Sequence, residues 1–303
     1  RDGQIMAQIL ILDFGSQYTQ LIARRLRELE IYAEILPYSA KLDQIKSRDP
    51  KGLILSGGPD SVHRLGSPRP DPGIFKLGLP ILGVCYGMQL LVSLHGGKVT
   101  PARKREYGGA DLTILEDSPL FEGLSRSTKV WMSHGDGAAH LSNGFKVLAR
   151  TESASCAAIG DASKNWYGVQ FHPEVAHTQE GARILENFAR RICHFNERWT
   201  MSSLLERQVA QIKAQVGAGS VVCALSGGVD SSVAAALIHR AIGSRLHCLF
   251  VDTGLLREGD RKRAQTILGK SLGLDLRVVD ASALFLKRLK GVSNPERKRK
   301  IIG

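Results

Sequence analysis

The segment Ile81-Leu-Gly-Val-Cys-Tyr-Gly-Met-Gln89 runs directly into Leu90-Leu91-Val92, with Gly83 and Gly87 on either side of Cys85. A short apolar run between breakers reads as a buried strand, and the stretch after it reads as a helix. A chain that passes from strand to helix within one residue needs a tight, strained corner, and the two glycines leave room for it. Such a corner belongs at the C-terminal edge of an open sheet, where it displays one side chain at its tip. That side chain is a cysteine, in the place where Gly-x-Ser-x-Gly hydrolases carry serine.

The rest of the chain agrees with an open sheet. Apolar runs at residues 9–12, 33–36 and Gly52–Leu55 alternate with helix-like stretches such as 17–28, predicting a parallel sheet covered on both faces. After His95 the pattern shortens to β-like pieces at 130–133, 145–149 and 166–171, an antiparallel extension that precedes a helix over 178–193. An aromatic and polar connector over 195–203 marks a boundary, giving domains at 8–198 and 199–303. The second domain opens with a helix over 204–216. Its strands read as Val221–Leu225, 246–251 and 276–279, with crossover helices over 230–242 and 257–272. The fold class is therefore α/β, with two domains that are each an open, mostly parallel sheet with helices on both faces. Three strands make a thin sheet and the chain stops at Gly303 without turn or cap chemistry, so the second domain reads as incomplete. Arg1 to Gln4, ahead of the first methionine, are set aside.

Composition narrows the class of function. With 43% apolar residues the chain can fill two cores, and no stretch approaches the roughly 18 apolar residues of a membrane span. We expect a soluble, cytoplasmic protein. Five cysteines without paired close spacing argue against a disulfide framework or a zinc ribbon. The net charge of +12 invites a nucleic-acid reading. Half of it, however, comes from residues 287–300, where seven basic residues face one acidic residue. A solvated basic face or an anionic small substrate accounts for that run, so no nucleic-acid partner and no membrane partner are expected.

A nucleophilic cysteine needs a base and an oxyanion site. In Gly168-Val-Gln-Phe-His-Pro-Glu-Val175 a strand ends at His172, Pro173 breaks the ladder, and Glu174 follows; of nine histidines this one has that setting. An imidazole two residues from a carboxylate can take a thiol proton while the carboxylate holds its tautomer. The helix start at Cys85 favours a thiolate. Leu55-Ser-Gly-Gly-Pro59 is a glycine turn at another strand end, from which the Gly58 amide could converge with that of Tyr86 near Cys85. Each feature also has a plain reading: a small core cysteine, a surface His beside a Glu, an ordinary turn.

A second glycine loop, Ala224-Leu-Ser-Gly-Gly-Val-Asp-Ser-Ser232, leads straight into the helix-forming Val233-Ala-Ala-Ala-Leu-Ile. A strand, a Ser-Gly-Gly turn and a helix N-terminus with further hydroxyls make an anion nest. No lysine follows as in a Walker loop, which disfavours γ-phosphoryl transfer.

With these residues in view, the first domain resembles the class I glutamine amidotransferases, and the second loop resembles the PP-loop of the N-type ATP pyrophosphatases. Asp13-Phe-Gly-Ser-Gln-Tyr-Thr-Gln20, Lys104-Arg-Glu-Tyr-Gly108 and Trp131-Met-Ser-His-Gly-Asp136 resemble in particular the GMP synthase family, in which the two domains are fused; the similarity covers residues 8–303. The Gly137-Ala-Ala that follows Asp136 departs from that family's usual basic residue and valine. The resemblance implies Cys85 as nucleophile, His172 as acid and base, Glu174 as its orienting partner, Gly58 and Tyr86 as oxyanion amides, and Gln89 in the glutamine pocket. It further implies ATP phosphates held by Ser226, Gly227, Gly228, Val229, Asp230, Ser231 and Ser232, with Asp230 a Mg²⁺ ligand, and an adenine side at Val251, Asp252 and Leu255. The basic run before Gly303 resembles that family's lid. Glutamine, ATP and xanthosine monophosphate (XMP) are the implied substrates, Mg²⁺ accompanies ATP, and no organic prosthetic group is implied. The complete family protein is expected to be a homodimer through a further C-terminal domain. Relative to it this chain reads as truncated, so we expect it to hydrolyse glutamine weakly, bind ATP poorly and make little or no GMP. An amidotransferase for another acceptor, an RNA-modifying PP-loop protein and a noncatalytic fragment remain as alternative readings.

Overall fold

The structure, a computed structural model, describes residues 9–142, 144–196 and 198–302. Arg1 to Gln4, Gln8 and Gly303 lie outside the described residues. The chain divides into two compact units, one running through Thr200 and one beginning at Met201.

The first unit contains β1 (Ile9–Asp13), α1 (Thr19–Glu28), β2 (Ala33–Pro37), α2 (Leu42–Lys46), β3 (Gly52–Leu55), β4 (Ile81–Val84), α3 (Tyr86–Leu94), β5 (Lys98–Ile114), β6 (Ser127–His140), β7 (Lys146–Arg150), β8 (Ala158–Asp161), β9 (Trp166–Val169) and α4 (Gly181–Asn187). Its strands form one sheet in the order β2-β1-β3-β4-β9-β8-β7-β5-β6. The pairings from β2 across to β9 are parallel, and those from β9 to β6 are antiparallel. Alternation along β1 divides the core into two. Ile9 and Ile11 join Ile22 and Leu26 of α1 and Ile184 of α4, while Leu10 and Leu12 join Ile45 of α2 and Leu90 of α3. Helices therefore cover both faces of the sheet, as the continuous apolar strands require.

Several elements depart from the sequence reading. The long strand β5 has no apolar alternation over Lys98-Val-Thr-Pro-Ala-Arg-Lys-Arg-Glu106, so periodicity could not reveal it. It exists because β6 pairs with it, with a register shift between Pro101 and Glu106. The expected helix over 178–193 starts only at Gly181 and finishes as a π-type turn, Phe188–Ile192.

The second unit contains α5 (Met201–Val216), β10 (Val221–Leu225), α6 (Val229–Ile242), β11 (Leu246–Asp252), α7 (Asp260–Ala264), β12 (Asp275–Asp280), α8 (Ser282–Leu289) and α9 (Pro295–Ile302). Its three strands are parallel in the order β10-β11-β12. The expected helix over 257–272 begins at Asp260, because Gly259 holds a left-handed φ of 84° just before it, and it continues as a π-type turn, Gln265–Ser271. One face of the sheet, with Leu225, Cys248 and Phe250, packs on Ala235 of α6 and Ala264 of α7. On the other face Val222, Val251 and Val279 are exposed. The basic run that reads as a tail is helical, in α8 and α9. Among the described residues no helix is long and apolar enough to cross a membrane.

Both glycines around Cys85 are required by close approach. A Cβ at Gly83 would lie 2.6 Å from the carbonyl of Gly87, and one at Gly87 would fall on the carbonyl oxygen of Leu55 in β3. Backbone cannot move aside as a flexible side chain can. Gly87→Ala is therefore expected to lower the unfolding free energy by about 1–3 kcal/mol or more; a urea midpoint equal to that of the wild type would show that the corner has spare room.

Candidate active site

Cys85 lies between the last residue of β4 and the first of α3, with φ 51° and ψ −105°. This left-handed region is strained for any residue with a Cβ, at a cost of about 1–3 kcal/mol. Surrounding hydrogen bonds enforce it. The Cys85 N–H donates to the Val169 carbonyl at 2.8 Å, the Gln89 N–H donates to the Cys85 carbonyl at 3.1 Å, and the Gly87 N–H donates to the Ser56 carbonyl at 3.1 Å. The side chain is nearly buried, and its sulfur lies 3.6 Å from the Ser133 carbonyl oxygen on β6.

His172 follows β9, the neighbour of β4. Its Nδ1 lies 2.7 Å from Oε1 of Glu174, and both side chains are buried. The ring also interacts with Cys85. Tyr18 presents an edge to the ring at 5.2 Å between centroids. Burial works against a charged imidazolium here, but hydrogen bonds to Cys85 and Glu174, with the charges of both, outweigh it and push His172 up to about 10. Oε2 of Glu174 is buried with no hydrogen-bond partner among the described residues, so the carboxylate leans on the imidazolium through Oε1.

The structure thus brings Cys85, His172 and Glu174 together, with His172 hydrogen-bonded to Glu174 and interacting with Cys85. Of the two glycines at residues 57 and 58, Gly57 faces the row: a Cβ there would sit 3.1 Å from Cε1 of His172 and 3.7 Å from Cβ of Cys85. A Cβ on Gly58 would instead meet the Phe14 carbonyl at 2.7 Å. The Tyr86 side chain points away, its hydroxyl donating to the Pro68 carbonyl at 2.7 Å. Its amide belongs to the first turn of α3, where N–H groups lack intrahelical acceptors. Gln89, one turn along α3 from Cys85, is buried and donates through Nε2 to the Asp136 carbonyl at 2.9 Å and to Oε1 of Gln170 at 3.3 Å. Sequence reasoning singled out neither Gln170 nor Thr178, whose hydroxyl donates to the His172 carbonyl at 2.6 Å. Gln170 could have been found as a polar residue inside an apolar strand end; Thr178 carries no comparable signal.

In the second unit, Ser226, Gly227 and Gly228 join β10 to α6, and Gly227 holds φ 78°, which favours glycine. The Gly228 N–H donates to the Ser226 hydroxyl at 3.3 Å, and the Ser232 hydroxyl donates to the Gly228 carbonyl at 2.8 Å. The loop opens on a cavity of about 450 Å³ lined by Ser226, Gly227, Gly228, Val229 and Ser232, with Phe250, Leu256 and Arg263 also in its wall. Ser231 turns back to Ser226, its Oγ 3.1 Å away. Asp230 lies in the first turn of α6 and, like Ser231, is not part of the wall. Val251, Asp252 and Leu255 also stay off the wall, which takes their neighbours Phe250 and Leu256 instead. Asp252 is held by Arg261 at 3.4 Å, and the same guanidinium reaches Asp280 at 3.1 Å. Among the described residues no group of three or more His, Cys, Asp or Glu side chains could hold a metal ion. The carboxylate in the cavity wall is that of Asp260, with Asp230 outside it; Mg²⁺ that arrives with a nucleotide needs only one or two protein carboxylates, the remaining ligands coming from phosphates and water.

A cysteine at a strained strand-to-helix corner of a doubly covered sheet, beside a buried His-Glu pair, is an arrangement suited to cysteine-dependent acyl transfer. Residues 10–192 match the family described as glutamine amidotransferase class-I, and the chain belongs to that family. Residues 201–296 match the family described as NAD synthase. The chain is 56% identical over 299 residues to a GMP synthase (glutamine-hydrolysing) of Elusimicrobium minutum, and 53% identical over 295 residues to that of Caldanaerobacter subterraneus. These alignments take in 98% and 97% of this chain and 58% of each relative, so the chain spans under two thirds of the relatives' length. Among solved structures, a candidate GMP synthase subunit from Thermoplasma acidophilum superposes with a TM-score of 0.55 at 31% identity, covering 62% of this chain and 94% of that one. A glutamine amidotransferase from Thermotoga maritima shares the fold, with a TM-score of 0.50 at 16% identity over 63% of this chain and 99% of that one.

The raised value of His172 sets a pH dependence. A group whose folded pKa lies above its ordinary 6.5 contributes stability fully below that value and loses it as pH rises through about 10. The melting-temperature advantage of wild type over His172→Gln should therefore shrink steadily from pH 6.5 to 10; a constant difference across that window would contradict a charged imidazolium.

Proposed function

We propose that the first unit releases ammonia from glutamine, and that a second, ATP-using unit consumes it in the conversion of XMP to GMP. The sulfur of Cys85 attacks the glutamine carboxamide carbon, and the Gly58 and Tyr86 amides receive the developing oxyanion. His172 passes its proton to the leaving nitrogen, ammonia departs, and water activated by the now neutral imidazole hydrolyses the thioester to glutamate. Glu174 keeps the ring in one tautomer and balances its charge. Gln89 uses both of its amide hydrogens on the protein, which leaves its oxygen to accept from the bound glutamine.

In the second unit, the loop of Ser226, Gly227, Gly228 and Val229, with Ser231 and Ser232, grips the ATP phosphates, and the base rests against Phe250 and Leu256. Bound with the nucleotide, Mg²⁺ would offset phosphate charge, with Asp230 as its protein ligand. The XMP 2-oxygen attacks the α-phosphorus, pyrophosphate leaves, and ammonia displaces AMP. The overall balance is ATP, XMP, glutamine and water giving AMP, pyrophosphate, GMP and glutamate. A cytoplasmic location belongs to the same reading.

The observation that carries this reading is the row Cys85–His172–Glu174 at a strained strand-to-helix corner. Its test is glutamate release from glutamine by the purified chain. Cys85→Ala should lower the rate at least about a thousandfold, and a glutamine-like electrophile should label the wild type at Cys85 alone. Undiminished release by Cys85→Ala would overturn the amidotransferase assignment. Stimulation by ATP with XMP, and not by ATP with other nucleoside monophosphates, would identify the acceptor.

A further inference from the structure

Two backbone groups beside His172 have no strand partner, and one side chain satisfies both. His172 lies beyond the last paired residue of β9, Val169, and Pro173 after it has no N–H to offer. The His172 N–H donates to the Trp131 carbonyl of β6 at 3.0 Å, which leaves the His172 carbonyl and the Trp131 N–H without strand partners. Thr178, from the loop before α4, supplies both. Its hydroxyl donates to the His172 carbonyl at 2.6 Å and accepts from the Trp131 N–H at 3.1 Å. The three bonds close a ring joining His172, Trp131 and Thr178.

A hydroxyl is the small group that can donate and accept at once. Thr178 is itself fixed: it is 4% exposed, its N–H donates to the Val175 carbonyl at 3.1 Å, and its own carbonyl accepts from the Gly181 N–H at 3.2 Å. The adjoining Gln179 N–H donates to the Lys129 carbonyl at 3.0 Å, so the loop is clamped to β6 on either side of the hydroxyl. Buried backbone groups left without partners cost about 1–3 kcal/mol each, so this ring sets where the His172 peptide rests. From that peptide the imidazole must reach Cys85 on one side and Glu174 on the other.

We propose that Thr178 is a positioning residue for the chemistry at His172: its hydroxyl fixes the His172 backbone so that the ring bridges Cys85 and Glu174. The proposal rests on the reading of Cys85 and His172 given under Proposed function. A displacement of about 1 Å at a reacting group is worth on the order of a hundredfold in rate. Thr178 is buried and its hydroxyl is spent on two backbone groups, so the effect belongs in kcat.

The experiment compares wild type, Thr178→Val, Thr178→Ala, Thr178→Ser and Cys85→Ala, each with its fold confirmed by circular dichroism. Two readouts are taken: steady-state glutamate release, and the rate of Cys85 alkylation by iodoacetamide from pH 5 to 10. Thr178→Val and Thr178→Ala should lower kcat by about 10–100-fold with KM changed less than about threefold. Their alkylation profile should move to higher pH, because the imidazolium no longer sits against the sulfur. Thr178→Ser, which keeps the hydroxyl, should return both readouts to within about threefold of wild type. If Val fails to fold, Ala and Ser carry the comparison. Wild-type kcat and an unmoved alkylation profile in the Val or Ala variant would overturn the proposal, as would a loss that Ser does not restore. Should Cys85→Ala keep its glutamate release, the site reading itself falls; should Cys85→Ala be inactive while Thr178→Val matches wild type, only the role of Thr178 falls.

Discussion

The parallel register between β4 and β9 is the constraint on which the site depends. Val84 lies opposite Val169, and the Cys85 N–H carries the ladder one step further to the Val169 carbonyl. A cysteine and a histidine far apart in the chain thus leave the sheet side by side. The long excursion between them builds the antiparallel half of the sheet, and it returns Trp131 and Ser133 of β6 to the same place. A slip of one residue in that register would turn every side chain of β9 to the opposite face.

Electrostatics completes what register begins. A fully buried carboxylate is tolerated only when its charge is balanced, and Glu174 has one oxygen on His172 and none of its side-chain atoms exposed to water. The carboxylate holds a proton on the imidazole Nδ1, and Cys85 acts on the same ring. Arg25 of α1 reaches the Glu174 carbonyl at 3.1 Å, which ties the helix next to Tyr18 to the same corner.

Much of this was legible in the amino-acid sequence. Strands β3 and β4 stand where their apolar runs between glycine and other breakers place them, because burial on both faces writes itself directly into composition; β10 also stands at its apolar run, though one of its faces is exposed. The meeting of Cys85 with His172 and Glu174 followed from two local patterns, each at a strand end. What stayed hidden depends on pairing instead of pattern. Strand β5 is polar and charged, and its partner strand defines it. The wall of the nucleotide-sized cavity holds Phe250 and Leu256, one place on either side of the residues expected there, because alternation along β11 and the turn after it decides which neighbours face inward. Thr178 lies in a loop, where no periodicity marks a residue whose work is done by one hydroxyl.

The left-handed backbone at Cys85 carries a further consequence. Its strain resides in the main chain, so swapping the sulfur for another side chain leaves the tension in place, and glycine alone would relax it. A side chain at this position is therefore kept at the expense of stability, and the compact packing of β3, β4 and α3 is the counterweight that holds the corner in place.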